Sequence, residues 1–207
     1  MKKIVLAGTG RLAREFTQFF GSQVDIIGYL SINAKEHTDF RLPGKLFNDE
    51  KNTDAIGTNL AVIAIGSPSD KRRVYLRMRE HGYQFPSLVH PSSVVASNVE
   101  LRDGVIISPM CCVGSNVKFG SLSYVNFSCG IGHDTEIGEF VQVNPGAQIG
   151  GFSKIGTQVL VGSGAIIREG LSIGDEAIIG SGSVVFNKVK GGTTVLGNPA
   201  KRLRLFD

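Results

Sequence analysis

The sequence lacks several features that would place it in a specialised class of protein. It contains no tryptophan and only three cysteines in 207 residues. An odd number of cysteines, with no signal segment before them, predicts reduced thiols in a cytoplasmic protein. No apolar run is long enough to cross a bilayer, because the run after the first lysines covers only about five residues. We therefore expect no membrane partner.

Strong charge is also missing, since the formal net charge is only +4. Nucleic-acid binding would need clustered basic residues, and we expect no such partner. Basic residues gather near the end of the chain, at Lys188, Lys190, Lys201, Arg202 and Arg204. A solvated tail and an anion site both fit this cluster.

The abundant residue is glycine, with 27 copies, and a repeat explains it. Every sixth residue from Val89 to Val185 is apolar and most are β-branched. The residue two positions earlier is small or slim, as at Ser123, Cys129 and Ala147. Positions i and i−2 face the same side of a strand, so each unit places one large and one small residue inside. This six-residue period is the signature of a hexapeptide β-helix.

Three six-residue units would form one triangular coil, so residues 18 apart should share a column. Successive coils stack in parallel at about 4.8 Å. Cys111 and Cys129 would then be inner thiols in adjacent coils. Glycine follows the large inner residue at Gly114, Gly120, Gly132, Gly138, Gly150, Gly156, Gly162, Gly174 and Gly180. The tolerance of glycine for unusual backbone conformations predicts that these residues form the corners.

The first part of the chain alternates predicted strands and helices. "KIVLAGTG", "VDIIGYL" and "NLAVIAIG" are typical of buried strands, and "RLAREFTQFF" has helical periodicity. A second helix should start at Ser67 or Ser69 and end at Gly82. Such alternation predicts a small Rossmann-like parallel sheet. We expect an α/β nucleotide- or sugar-binding domain over 1–84 and a β-helix domain with a C-terminal tail over 85–207.

A glycine-rich turn joins the first strand to the first helix. Gly8 to Ala13 matches G-x-G-x-x-A, a pattern that can hold a phosphate on the amides of a helix N-terminus. A merely tight structural turn gives the same pattern. NAD binding is disfavoured, because Ser31 and Asn33 stand where an acid should follow the second strand.

One of only four histidines is followed by an acid, in "GIGHDTEIGEF". His133 comes two residues after the inner Ile131, so it should point out of the prism, into a cleft against a neighbouring subunit. A neutral imidazole suits a general base, although an interface histidine without chemistry is the alternative. A zinc site would need histidines in one column, which His90 and His133 do not share, so we expect no metal.

The order of these parts resembles the sialic-acid O-acetyltransferase-type sugar acyltransferases. The resemblance covers nearly the whole chain, through "VLAGTGRLA", "VIAIGSPSDKRR", "LVHPSSVV", "VNFSCGIGHDTEIGEFVQVNPGAQIGG" and "VLGNPAKRLR". That family includes enzymes that N-acetylate 4-amino sugars on a nucleotide carrier. The resemblance implies a left-handed β-helix, a homotrimer, and acetyl-CoA in the groove between two prisms.

The resemblance also implies roles for particular residues. His133 would be the base, Asp134 would orient it, and the Gly151 amide would donate to the thioester oxygen. Ser163 and Ser181 would line the pantetheine path, and Lys201 and Arg202 would meet the CoA phosphates. The substrate-binding residues would be Gly8, Gly10, Arg11, Ser31, Gly66 and Ser67.

Two departures from the family pattern leave the nucleotide open. Arg11-Leu12 replaces a Gly-His pair, and Ser31 or Asn33 replaces the acid after the second strand. The predicted function is N-acetylation of a nucleotide-linked amino sugar. O-acetylation of sialic acid or another sugar is the alternative, and a catalytically silent scaffold is a third.

Overall fold

A computed structural model of the chain describes residues 1–31, 33–51 and 53–203. The chain forms two compact units, Met1–Pro86 and Ser87–Asp207. No helix within the described part is long and apolar enough to span a membrane. Arg204 of the basic cluster lies outside the described residues.

The first unit is the predicted α/β domain with a parallel sheet. Its elements in chain order are β1 (Lys2–Ala7), α1 (Arg11–Phe20), β2 (Val24–Leu30), α2 (Ala34–Asp39), β3 (Lys45–Phe47), α3 (Thr53–Ile56), β4 (Ala61–Ile63) and α4 (Pro68–Glu80). The strands are parallel in the order β3-β2-β1-β4. The sequence patterns did not predict α2, β3 and α3, which are all short.

The core of this unit lies between β1 and α1. Ile4 and Leu6 are fully buried, and the rings of Phe16 and Phe20 stack with centroids 4.6 Å apart. The hydroxyl of Ser67 accepts the Asp70 amide at 3.3 Å, which makes Ser67 the N-cap of α4.

The second unit is built from very short strands. They are β5 (Leu88–Val89), β6 (Val94–Val95), β7 (Glu100–Leu101), β8 (Ile106–Ile107), β9 (Cys112–Val113), β10 (Lys118–Phe119), β11 (Tyr124–Val125), β12 (Gly130–Ile131), β13 (Glu136–Ile137), β14 (Gln142–Val143), β15 (Gln148–Ile149), β16 (Lys154–Ile155), β17 (Leu160–Val161), β18 (Ile166–Ile167), β19 (Ser172–Ile173), β20 (Ile178–Ile179), β21 (Val184–Val185), β22 (Thr194–Leu196) and β23 (Lys201–Arg202).

These strands form three parallel sheets that close a triangular prism. Residues 18 apart are paired, as Gly130 with Gln148 and Ile131 with Ile149. Every third strand therefore belongs to the same sheet, in ladders of five, six and eight strands. Only β23 runs antiparallel, beside β22. The predicted left-handed parallel β-helix of hexapeptide repeats is confirmed.

The interior of the prism follows the predicted alternation of large and small residues. Phe119, Ile131 and Ile149 are at most 3% exposed, and the slim Val141 and Ala147 are fully buried. This continuous apolar core is the main stabilising feature, since each short strand has little stability of its own.

The corner glycines have a different cause from the one the sequence predicted. All nine lie outside the left-handed backbone region. A Cβ on Gly114 would lie 2.7 Å from the His133 amide nitrogen, and one on Gly120 would lie 2.6 Å from the Glu139 amide nitrogen. Glycine is required because adjacent coils approach too closely for a side chain, so the conformational explanation was wrong.

The left-handed conformation occurs two residues after each of these glycines. Asn116, Asp134 and Phe152 have φ values of 59°, 57° and 56°, and the series recurs every six residues. Non-glycine residues adopt this conformation only with some strain, and aspartate and asparagine tolerate it best. The repeat thus fixes where the chain turns at Asp134.

Candidate active site

His133 and Asp134 lie in the turn after β12, at one corner of the prism. His133 Nδ1 and Asp134 Oδ2 are 2.8 Å apart, and the imidazole side chain is 59% exposed. The Asp134 amide donates to the Ser115 carbonyl of the preceding coil at 2.9 Å, which anchors the turn. The predicted pair therefore forms an exposed histidine–carboxylate couple.

Asp134 is held by a second side chain. The Asn116 Nδ2 group donates to Asp134 Oδ1 at 2.6 Å. This hydrogen bond, followed by the one from His133, lowers the pKa of the Asp134 carboxyl. An ionised carboxylate only accepts, so Nδ1 of the neutral imidazole must carry the hydrogen. Nε2 is left with its lone pair and can accept a proton.

Gly151 lies one coil further on, beneath the imidazole. A Cβ on Gly151 would be 3.2 Å from His133 Nε2, 3.3 Å from Cε1 and 2.9 Å from the His133 carbonyl oxygen. Among the described hydrogen bonds, none is donated by the Gly151 amide. The structure therefore brings His133, Asp134 and Gly151 together.

Phe152 completes the surroundings of the imidazole. Its ring meets the His133 ring edge-on, with centroids 5.0 Å apart. Its amide donates to the His133 carbonyl at 2.9 Å. The sequence reasoning did not select Phe152 or Asn116, although the 18-residue period places them in adjacent coils, in the same column as Asp134.

The residues predicted to bind CoA lie on other parts of the prism. The turns of Ser163 and Ser181 follow β17 and β20 in the eight-stranded sheet, whereas His133 follows a strand of the six-stranded sheet. Ser163 and Ser181 share a column, since the Gly182 amide donates to the Ser163 carbonyl at 2.9 Å. Within one chain, these serines and His133 occupy different corners.

The basic residues of the "GNPAK" segment form β23. Lys201 and Arg202 are exposed and pair with Leu196 and Val195 of β22. They extend the same eight-stranded sheet that carries Ser163 and Ser181. Together with those serines, they form a group that is separate from His133 in the single chain.

The predicted substrate residues lie at the carboxyl ends of β1, β2 and β4. A cavity of about 590 Å³ is lined by Gly8, Gly10, Arg11, Ser31 and Gly66, among others. Ligands of open α/β sheets bind at this edge. Ser67 does not line the cavity, and its hydroxyl caps α4 instead.

Gly8 is glycine for reasons of conformation and space. Its φ is +113°, and a Cβ would lie 3.0 Å from the Ala64 carbonyl oxygen. Gly10 provides the N-cap of α1 without a side-chain hydrogen bond. The glycine-rich pattern is thus at least a structural turn, and it opens into the cavity.

Of the three cysteines, Cys112 is exposed and lies in β9, where it pairs with Gly130 of β12. Cys111 and Cys129 are buried, and their thiols donate to the carbonyls of Asn126 and Asn144 at 3.0 and 3.2 Å. No group of three or more metal-binding side chains was found among the described residues.

Comparison with known proteins agrees with this architecture. Residues 152–187 match the family model described as bacterial transferase hexapeptide (six repeats). No curated protein sequence matched the chain. The match lies within the second unit and agrees with its six-residue repeat.

Several solved structures share the fold of the whole chain. A mutant of perosamine N-acetyltransferase from Caulobacter crescentus, in complex with CoA and GDP-perosamine, has a TM-score of 0.89 at 21% identity, over 99% of this chain and 98% of that one. The acetyltransferase domain of PglB from Neisseria gonorrhoeae, with acetyl coenzyme A, gives 0.84 at 23% identity over 98% and 99%. WeeI from Acinetobacter baumannii gives 0.79 at 26% identity over 98% and 100%. These similarities bear out the predicted resemblance to the sugar acyltransferases of this type.

Proposed function

We propose that this protein is an acetyl-CoA-dependent N-acetyltransferase whose acceptor is an amino sugar carried by a nucleotide. The observation that carries the proposal is the geometry of His133. Its Nδ1 is fixed by the Asp134 carboxylate at 2.8 Å, and its Nε2 lies above Gly151. This arrangement presents a basic nitrogen next to the residue whose backbone amide would hold the oxyanion, as acyl transfer needs.

The proposed reaction is direct attack of the sugar amine on the thioester. Nε2 of His133 takes a proton from the amine as its nitrogen bonds to the acetyl carbonyl carbon. The Gly151 amide donates to the oxyanion that forms. The carbon–sulfur bond then breaks, and the imidazolium returns the proton to the departing CoA thiolate. No acyl-enzyme is needed, because the amine attacks the thioester directly.

The solved structures of similar proteins support both proposed substrates, acetyl-CoA and a nucleotide-linked sugar. The perosamine N-acetyltransferase structure contains CoA and GDP-perosamine, and the PglB domain contains acetyl coenzyme A. In this chain, the cavity at the ends of β1, β2 and β4 would take the nucleotide-linked sugar. Lys201 and Arg202 would bind CoA phosphates, and Ser163 and Ser181 would line the pantetheine path.

The proposal includes a homotrimer with active sites between subunits, and the separation of these residues supports it. Within one chain, His133 and the serines lie at different corners of the prism, so in the proposed trimer a second copy would supply one of them. The outward positions of the six-stranded sheet support this, because they carry no charge and include Val94 and Ile166, which are 70% and 44% exposed. Such a surface favours a partner.

Acetyl transfer to a panel of UDP-, GDP-, dTDP- and CMP-linked amino sugars would test the proposed reaction, with release of the CoA thiol as the readout. His133→Ala should lower kcat by about 10²- to 10⁴-fold with an unchanged circular dichroism spectrum and oligomeric state. Wild-type turnover in this variant would remove the proposal. A product ester instead of an amide, identified by mass spectrometry after hydroxylamine treatment, would favour O-acetylation.

Complementation between variants would test the shared site. His133→Ala and Ser163→Trp should each be inactive alone. If active sites lie between subunits, co-refolded mixtures of the two should regain a fraction of wild-type activity. Absence of recovery in mixed trimers would show that each chain builds its own site.

A further inference from the structure

The glycine-rich turn before α1 is next to a carboxylate that the sequence reasoning did not consider. Glu36 is in α2, six residues after the end of β2, and its side chain reaches back to the turn. Thr9 Oγ1 lies 3.2 Å from Glu36 Oε2. A Cβ on Gly10 would lie 3.8 and 4.0 Å from the two carboxylate oxygens. Glu36 also lines the cavity of about 590 Å³ described above.

The position of Glu36 is built into the local structure. The Asn33 side chain accepts the Glu36 amide at 3.2 Å and begins α2. The Ser31 hydroxyl accepts the Asn33 amide at 3.0 Å and also lies 3.0 Å from Thr9 Oγ1. Ser31 and Asn33 stand where the family's acid would be, and they direct the chain so that Glu36 enters the cavity.

The carboxylate keeps unused acceptor capacity. Three acceptors, Ser31 Oγ, the Asn33 carbonyl oxygen and Glu36 Oε2, lie within 3.4 Å of Thr9 Oγ1. Thr9 has one hydroxyl hydrogen to share among them. A carboxylate offers about four lone-pair positions. Among the described residues, no donor lies within hydrogen-bonding distance of Glu36 Oε1. Groups that donate hydrogen bonds from the cavity can therefore bind there.

The chemistry of this position favours hydroxyls over phosphate. Phosphate oxygens only accept hydrogen bonds and carry negative charge, so a carboxylate close by repels them. A sugar hydroxyl both donates and accepts, and it can donate to Glu36. A vicinal pair of hydroxyls can donate to both carboxylate oxygens.

We propose that Glu36 binds the 2′- and 3′-hydroxyls of the ribose in the nucleotide-linked substrate. The inference rests on the proposed function, and it names one part of that substrate. In doubly wound sheets, an acid after the second strand binds the ribose in this way. In this chain the carboxylate comes from α2 instead of the strand end. The acceptor nucleotide is therefore a ribonucleotide, and the turn from Gly8 to Gly10 contacts the ribose rather than a phosphate.

Calorimetric binding of matched nucleotides tests the proposal. The wild-type protein should bind GDP or UDP at least about tenfold more tightly than the corresponding 2′-deoxynucleotide, because a site that hydrogen-bonds a hydroxyl discriminates against the analogue that lacks it. Glu36→Gln should weaken binding of the ribonucleotide about tenfold and remove most of this preference. Asp39→Asn is the matched control, since it removes the same charge from the exposed end of α2 and should keep the preference.

Equal affinity for ribonucleotide and 2′-deoxynucleotide in the wild-type protein would overturn the inference and leave the proposed N-acetyltransferase standing. The same conclusion would follow if Glu36→Gln and Asp39→Asn had equal effects. No binding of any nucleotide, with acetyl-CoA still bound, would instead overturn the nucleotide-linked substrate, and this inference with it. Thermal unfolding of each variant checks that the fold is intact.

Discussion

The ring of Phe152 lies edge-on against the ring of His133, with an angle of 88° between their planes. Phe152 is 61% exposed and has a left-handed backbone. Burial in the core therefore does not explain why a phenylalanine is found at this position. We expect this contact to restrict rotation of the imidazole. We therefore expect Phe152 to position the proposed base.

Replacing Phe152 by alanine should lower kcat about threefold to tenfold, because an aromatic pair contributes roughly 0.5–1.5 kcal/mol. The KM for acetyl-CoA should change much less, since the ring acts through His133. Steady-state kinetics would measure both. Phe186→Ala, at another exposed phenylalanine, is the control and should retain wild-type kcat. Equal rates for both variants would show that the ring contact does not orient the base.

Gly151→Ala should reduce kcat by about 10²-fold, as expected for a displacement of the reacting group by about 1 Å. The new methyl group would meet the His133 carbonyl oxygen at 2.9 Å and Nε2 at 3.2 Å. The imidazole must then move away from the Gly151 amide. A crystal structure of the variant would show the displaced ring, and an unmoved ring with normal turnover would contradict the expected displacement.

Asn116→Ala should raise the pKa of the Asp134 carboxyl towards its ordinary value of 3.8, because the bond from Asn116 is the main cause of the lowering. A lowered folded-state pKa contributes stability above the unfolded value, and that stability is lost as the pH falls through the folded value. The variant should lose less stability between pH 5 and pH 2 than the wild type does. Carboxyl ¹³C titration by NMR measures the pKa directly.

Asn98→Ala is the control for that titration. Asn98 accepts the Asn116 amide at 3.1 Å but has no hydrogen bond with Asp134 in the described structure. The Asp134 pKa should therefore stay close to the wild-type value. An equal rise of the Asp134 pKa in both variants would mean that the column as a whole, and not the Asn116 side chain, keeps the Asp134 carboxyl ionised.

Lys71 is almost fully buried in α4, and burial lowers its pKa from 10.5 to about 7. Between pH 7 and pH 10.5 the Lys71 side chain is protonated in the unfolded chain but not in the folded protein. The free energy of unfolding should therefore rise as the pH increases from 7 to 10.5. Below pH 7 the destabilisation is fully present and amounts to a few kcal/mol. Lys71→Met should flatten this rise, measured by urea unfolding at several pH values. The exposed Lys45→Met should not.

The prism could be predicted from the sequence because few other structures are compatible with a six-residue period of apolar residues. Ile131 and Ile149 could be assigned to the interior, and His133 to the exterior, by counting. The reason for the corner glycines could not be found in this way. It depends on the distance between coils, which a pattern of residue types does not contain.

The remaining site residues escaped prediction for two different reasons. Asn116 could have been predicted, since it lies one coil before Asp134 in the same column. It was missed because only His133 and Asp134, for which the family has roles, were considered. Glu36 could not have been predicted, because its contact with Thr9 depends on the path of the short α2. In the first unit, side chains meet through loops whose course no period fixes.

The pairing of residues 18 apart makes the prism sensitive to the length of the chain as well as to its composition. Loss of one residue between Asp134 and Gly151 would shift every later side chain from one face to the other. Loss of a complete coil would preserve the interior, yet it would place Glu169 where Gly151 now lies beneath the imidazole. Insertions and deletions in this half of the protein are therefore compatible with folding only when they add or remove whole coils. Only coils away from His133 can be gained or lost without changing the chemistry of the site.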